Sequence, residues 1–119
     1  MPNNTTKGAE GEEIAVNFLL KSGYLILERN WRTNHLEIDI IAKKNETLAI
    51  IEVKWRDNAV FGNPETFVTK SKQQKIIKAA HFYIKTVGLD LETRFDIISI
   101  TQHPELKIEH IKEAFYPLL

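Results

Sequence analysis

The stretch whose residue types and spacing can do chemistry is a hairpin. Two apolar runs, Glu37-Ile-Asp39-Ile-Ile-Ala42 and Thr47-Leu-Ala-Ile-Ile-Glu52-Val-Lys54-Trp55, flank the polar break Lys43-Lys44-Asn45-Glu46. With Asn45 and Glu46 as the loop, Lys44 faces Thr47 and the numbers of each facing pair add to 91. Asp39 then lies opposite Glu52 on one face, with Cβ atoms about 5 Å apart. Lys54, two residues beyond Glu52, shares that face. The neighbours Ile38, Ile40, Ile41, Ile50, Ile51 and Val53 read as strands buried on both sides. Two carboxylates side by side in such surroundings are costly unless a cation sits between them. Oxygen ligation by two carboxylates and water suits Mg²⁺ or Mn²⁺, whereas zero cysteines and four scattered histidines disfavour zinc. Lys54 beside such an ion would orient a water or stabilise developing negative charge. Phosphodiester hydrolysis is the reaction these parts fit best. A lone Glu-x-Lys on a strand is ordinarily a solvated pair; the register and the apolar surroundings leave that reading and a functional site equally open.

These groups need a frame. Lys7 to Ser22 reads as a helix, with Ile14, Ala15, Phe18 and Leu19 on one face and Gly23 at a left-handed C-cap. Glu10, Glu12 and Glu13 crowd its first turns, which suits the helix dipole. Glu12 lies within about 20° of Leu19 on the helical wheel, on the flank of the apolar stripe. Gly8 and Gly11 on the same side would let the helix approach a sheet and bring Glu12 in as a third carboxylate. Tyr24 to Trp31 is a first strand, followed by the two strands of the hairpin, and residues 57–67, with Gly62 and Pro64, read as an irregular loop.

Ser71 to Val87 is a second helix, with Ser71 and Gln74 as a capping box and Gly88 closing it. Its apolar stripe is Ile76, Ile77, Ala80, Ile84 and Val87. Arg94 to Ile100 is a fourth strand. In the tail, Leu106, Ile108 and His110 alternate like a strand, whereas Ile108, Ile111 and Phe115 keep helical spacing. The alternation favours a fifth strand, paired with the fourth across Gln102-His103-Pro104. The order helix, three strands, helix, two strands predicts a mixed α/β sheet with helices packed on it.

The 119 residues suit one domain, expected over 7–119 after a flexible start at 1–6. Sixteen Lys and Arg balance sixteen Asp and Glu, which argues against a uniformly basic nucleic-acid binder. No cysteine means no disulfide, no thiolate zinc site and no cysteine nucleophile, and fits the cytoplasm. No apolar run is long enough to span a membrane, and the first six residues lack the apolar core of a secretory signal. Lys70, Lys72, Lys75 and Lys78 open the second helix, where cations oppose the dipole; a solvated face and a phosphate-gripping edge are both open to them. Arg56 shares the face of Lys54 and suits either a phosphate contact or an ion pair. Trp31 and Trp55 suit base stacking or rim packing. Asp96, in an apolar strand, suits a structural hydrogen bond to Arg94 or to a helix end.

Glu12, Asp39 and Glu52-Val-Lys54 together resemble the E…D…(D/E)xK signature of the restriction-endonuclease-like PD-(D/E)xK nuclease superfamily, with spacing similar to archaeal Holliday-junction resolvases. More closely, the chain resembles the YraN family of bacterial proteins. The matching pieces are Gly8-x-x-Gly11-Glu12-x-x-Ala15, Gly23-Tyr24, Arg29-Asn30, Glu37-Ile-Asp39, Glu52-Val-Lys54-x-Arg56, Phe61-Gly62, Lys72 and Arg94-Phe-Asp96. Leu36 departs from the pattern, standing where that family has glycine. The resemblance implies a restriction-endonuclease-like fold and a metal-dependent nuclease acting on DNA, branched DNA included. Asp39, Glu52 and the Val53 carbonyl would hold Mg²⁺ or Mn²⁺, Lys54 would position the water, and Glu12 would assist. Arg56 and Lys72 would meet nucleic acid, and analogy within the fold implies a homodimer. The alternative within the same fold is a protein that binds nucleic acid without cutting. A third reading pairs the carboxylates with Lys54 and Arg56 as a structural ion network.

Overall fold

The computed structural model describes residues 4–58 and 68–117. The elements run α1 (Asn4–Lys21), β1 (Leu25–Thr33), β2 (Leu36–Lys44), β3 (Thr47–Asn58), α2 (Lys70–Val87), β4 (Glu92–His103) and β5 (Lys107–Phe115). This is the expected order, with the tail as a strand. Most of the expected irregular loop, including Phe61, Gly62 and Pro64, lies outside the described residues, while Asp57 and Asn58 extend β3.

The five strands form one sheet in sequence order. β3 and β4 are parallel, with α2 in the crossover between them, and the other neighbours are antiparallel. The β2–β3 hairpin turns at Asn45, whose φ of 54° lies in the left-handed region that asparagine tolerates. Its register follows the expected rule from Lys44↔Thr47 to Ile40↔Ile51, where the ladder ends.

Alternation along the strands divides the core between two faces. Leu48, Ile50, Phe95 and Ile97 pack with Ile76, Ala79, Ala80 and Tyr83 of α2. Ala49, Ile51, Ile98 and Ile100 pack with Ala15, Val16 and Leu19 of α1. β3 and β4 are thus covered on both sides, as their continuous apolar runs require.

Both helices differ in detail from expectation. α1 starts at Asn4, three residues before Lys7, and its first turn holds no acidic residue. Glu10, Glu12 and Glu13 therefore stand beyond the reach of the dipole, which fades within the first turn. Its closely packed face runs through Gly11, Ala15 and Leu19, with Val16 beside them, while Ile14 and Phe18 sit at the margin. A Cβ on Gly11 would lie 3.2 Å from the Trp55 ring, so this glycine permits the close approach; Gly8 has nothing within 4 Å and does not. Gly23, at φ 91°, ends α1 in a Schellman motif, with Tyr24 N–H donating to the Leu19 carbonyl at 2.9 Å.

α2 is capped by Thr69 rather than by a Ser71–Gln74 box. Thr69 is extended (φ −63°, ψ 159°), and its hydroxyl accepts the Lys72 N–H at 3.1 Å. Ser71 already lies inside the first turn. The buried stripe is Ile76, Ala79, Ala80 and Tyr83. Ile77 and Ile84 are half-buried and Val87 is exposed, so the face is rotated toward the alanines, which can lie closest to the sheet. Gly88 closes the helix at φ 71°, as expected.

Candidate active site

The site lies where β2 and β3 part. Beyond Ile40↔Ile51 no ladder pair joins these strands, and the Val53 N–H donates instead to Asp39 Oδ2 at 2.8 Å. The Asp39 side chain thus does the work of a missing strand carbonyl, which fixes its carboxylate at the fork. Glu52 follows Leu48 and Ile50 in facing α2, and its side chain is 6% exposed. Lys54, on the same side of β3, brings its ammonium to 4.0 Å from Glu52 Oε1. Asp39, Glu52 and Lys54 therefore meet at one cleft of about 280 Å³, which Glu12, Asn30, Glu37, Val53, Trp55 and Lys72 also line.

Burial and the charge of Glu52 push the Asp39 carboxyl up to about 7, against the opposing Val53 hydrogen bond, and Glu12 adds to the rise. Glu12 is also raised, chiefly by burial, with the Asn30 hydrogen bond and the Arg29 charge opposing. One of its oxygens, Oε1, is buried without a hydrogen-bond partner among the described residues. Four carboxylates crowd this end of the sheet, since Glu37 also repels Glu12. Electrostatically the site is under-neutralised, the condition in which a further cation is favoured.

Lys72 supplies one positive charge. It is not free at a helix edge: its ammonium lies 2.8 Å from Glu52 Oε1. Burial works against that charge, but the hydrogen bond it donates to Glu52 and the charges of Glu52, Asp39 and Glu37 outweigh it, and the pKa is raised. Lys72 also borders a second cleft of about 320 Å³, lined by His35, Leu36, Thr69, Ser71, Lys75 and Ile76, which shares Glu37, Asp39 and Glu52 with the first. Arg56 is half-buried two residues beyond Lys54 on β3, paired in register with Thr101 of β4. Among the described residues no three acidic or histidine groups stand close enough to form a complete metal cage. The charge of Glu52 weighs more on Asp39 than that of Glu12.

Both tryptophans pack, and Trp55 also lines the first cleft. Trp31 meets Tyr83 edge-on at 5.2 Å, and Trp55 covers Gly11. Sequence reasoning reached Asn30 and Glu37 only through the family pattern and missed the side chain of His35. Asn30 sits at φ 50°, a conformation asparagine adopts readily, and turns toward Glu12. Nothing in local spacing signals that contact, because it depends on how α1 docks.

A second buried carboxylate is complete within the protein. Asp96, fully buried, accepts from Arg94 Nε and Nη2 at 2.9 and 2.8 Å, from the Glu113 N–H at 3.1 Å, and lies 2.8 Å from His110 Nε2. Burial opposes its charge, but these hydrogen bonds outweigh that cost and hold its pKa below the usual range. Arg94 also donates to the Tyr24 hydroxyl at 2.6 Å. The expected Asp96–Arg94 bond is thus one part of a network that ties β4 and β5 to Tyr24, between α1 and β1.

Among solved structures, the chain is similar to the Holliday junction resolvase Hjc of the hyperthermophilic archaeon Archaeoglobus fulgidus. The TM-score is 0.57 at 15% identity, covering 85% of this chain and 72% of that one. This likeness shows a shared α/β fold. By sequence, the chain is 47% identical over 117 residues to a UPF0102 protein of Flavobacterium psychrophilum, covering 98% of each chain. It is 44% identical to one from Bacteroides thetaiotaomicron over all of this chain and 99% of that one. A third, from Thermodesulfovibrio yellowstonii, is 49% identical over 92% of this chain and 95% of its own length. The profile of the uncharacterised protein family UPF0102, the YraN family, matches residues 11–100, and the chain belongs to that family.

Proposed function

We propose that this protein is a metal-dependent nuclease that hydrolyses phosphodiester bonds of DNA, branched DNA included. The observation that carries the reading is the Asp39–Glu52 pair at the β2–β3 fork, two crowded carboxylates with Lys54 beside them. The fold shared with a Holliday junction resolvase supports it.

The residues fit a hard divalent cation. Two carboxylates at a cleft, an unpartnered buried Glu12 oxygen and no sulfur ligand match Mg²⁺ or Mn²⁺. Asp39, Glu52 and the Val53 carbonyl would hold the ion, with water completing the shell. When bound, such an ion supplies Lewis-acid polarisation of a phosphoryl oxygen. Lys54 holds the attacking water and offsets the negative charge that grows as the water oxygen bonds to phosphorus and the opposite P–O bond breaks. Glu12 would serve as an auxiliary ligand. Arg56 and Lys72 are assigned to phosphate contacts, and a homodimer would present two such sites to two strands.

The test is cleavage of linear, flapped and four-way DNA in Mg²⁺ or Mn²⁺. Wild type cuts at least one of them, and Asp39→Ala and Lys54→Ala abolish cutting. No cleavage of any by the wild type overturns the reading. The alternative, a nucleic-acid-binding protein without catalysis, is favoured by one observation, that Lys72 already neutralises Glu52. It gives salt-sensitive gel shifts that are indifferent to metal and to Lys54→Ala.

A further inference from the structure

Two lysines approach Glu52, and they are not equivalent. Lys54 stands 4.0 Å away, whereas Lys72 makes the contact at 2.8 Å. Lys72 occupies the third position of α2 after its Thr69 cap, where the helix dipole disfavours a cation. The dipole therefore does not place it there; the carboxylates do. Its backbone is fixed by the cap, but its side chain is 46% exposed and borders both clefts, so the ammonium has room to move while the helix stays still. An ammonium and a divalent ion set against the same Glu52 Oε1 repel each other, which weakens the lysine contact when the ion binds.

We infer that Lys72 is an exchangeable counter-ion: it holds Glu52 in the metal-free protein, and a divalent cation displaces its ammonium into the neighbouring cleft, where it takes a substrate phosphate. This deepens the metal-dependent reading of the same site and rests on it. Glu37, Asp39 and Glu52 line the strand side of the receiving cleft, while its α2 side, where Lys75 and Ser71 lie with His35 nearby, is the part that suits an anion. Releasing the ammonium from Glu52 then prepares the phosphate contact, so metal and phosphodiester each favour the other's binding. By linkage the effect is reciprocal.

Calorimetric titration of the full chain with Mn²⁺ alone tests this without reference to activity. In the wild type, Mn²⁺ must break the Lys72–Glu52 pair; in Lys72→Met it need not. Lys72→Met is expected to bind Mn²⁺ about fivefold more tightly, while Lys72→Arg, which keeps the charge, stays within about twofold of wild type. Lys72→Gln carries the same expectation as Lys72→Met if the latter does not fold. Adding a short phosphorothioate oligonucleotide should tighten Mn²⁺ binding more in the wild type than in Lys72→Met. Equal or weaker Mn²⁺ binding by both uncharged variants overturns the inference and leaves the metal site standing. Absence of Mn²⁺ binding in wild type and variants alike overturns the metal-dependent reading and the inference with it.

Discussion

Two buried carboxylates occupy adjacent rungs of the same parallel ladder and have opposite electrostatic fates. Asp96 pairs in register with Ile51, and Glu52 pairs with Ile97, so the two acids are one step apart on neighbouring strands. They face opposite sides of the sheet. Asp96 meets Arg94, His110 and a backbone N–H on the α1 side, and its charge is fully met by the protein. Glu52 shares its cleft with Asp39, Glu12 and Glu37 as well as Lys54 and Lys72, and burial together with the charges of Glu52 and Glu12 forces Asp39 toward its neutral form. Burial alone does not mark a functional carboxylate. What separates the two regions is whether the fold completes the charge balance or leaves it open.

That difference can be broken from either side. The largest effect on stability is expected at the completed network. Asp96→Ala strands Arg94 and His110 and should cost about 3–5 kcal/mol in urea unfolding, as for a broken buried pair. A loss near zero would remove the network's structural role. Because the Asp96 pKa is lowered on folding, its contribution is present above the unfolded carboxylate range and fades as pH falls through its folded value. Acid unfolding of Asp96→Asn should accordingly be less steep than that of wild type.

The open site should behave in the reverse sense. The Asp39 pKa is raised to about 7, so between about pH 4 and 7 the folded state holds a proton that the unfolded chain has lost. Its contribution to stability therefore falls as pH rises through that window, and the cost is fully present above it. In metal-free buffer at pH 8, Asp39→Asn, which still offers an oxygen to the Val53 N–H, should gain about 1–2 kcal/mol, and the gain should disappear near pH 4. A destabilised Asp39→Asn at pH 8 would place Asp39 with Asp96 among the structural acids.

A smaller effect is expected at the cap that sets Lys72. Thr69→Ala removes the hydroxyl that accepts the Lys72 N–H and should cost about 1 kcal/mol by thermal unfolding. Ser71→Ala should cost clearly less, since Ser71 is inside the helix. The smallest belongs to the surface pair Glu13–Arg29, whose side chains are 57% and 42% exposed. Glu13→Ala should change stability by less than about 0.5 kcal/mol.

How much of this could be read from sequence follows the range of the interactions. The hairpin register and the Asp39–Glu52–Lys54 side were legible because two-residue periodicity and loop length act locally. The fifth strand was legible by the same alternation. The end of the ladder at Ile40↔Ile51 was not, since it depends on Asp39 capturing the Val53 N–H. Lys72 could be marked only by the family pattern, because its approach to Glu52 needs α2 docked across the sheet. Thr69 and Ser71 offer the same chemistry to a helix start two residues apart, and only the extended backbone at Thr69 decides between them. The contact of His110 with Asp96 was not legible either, because it depends on the Ile98↔His110 register between β4 and β5.

The most direct test of the central claim compares the two acids in one reaction. Single-turnover cleavage of four-way and linear DNA in Mg²⁺ should be measured for wild type, Asp39→Asn and Asp96→Asn, at a temperature where all three are folded. The account predicts that Asp39→Asn is slower by about a thousandfold or more, while Asp96→Asn stays within about tenfold of wild type. Cleavage by Asp39→Asn at the wild-type rate would contradict it.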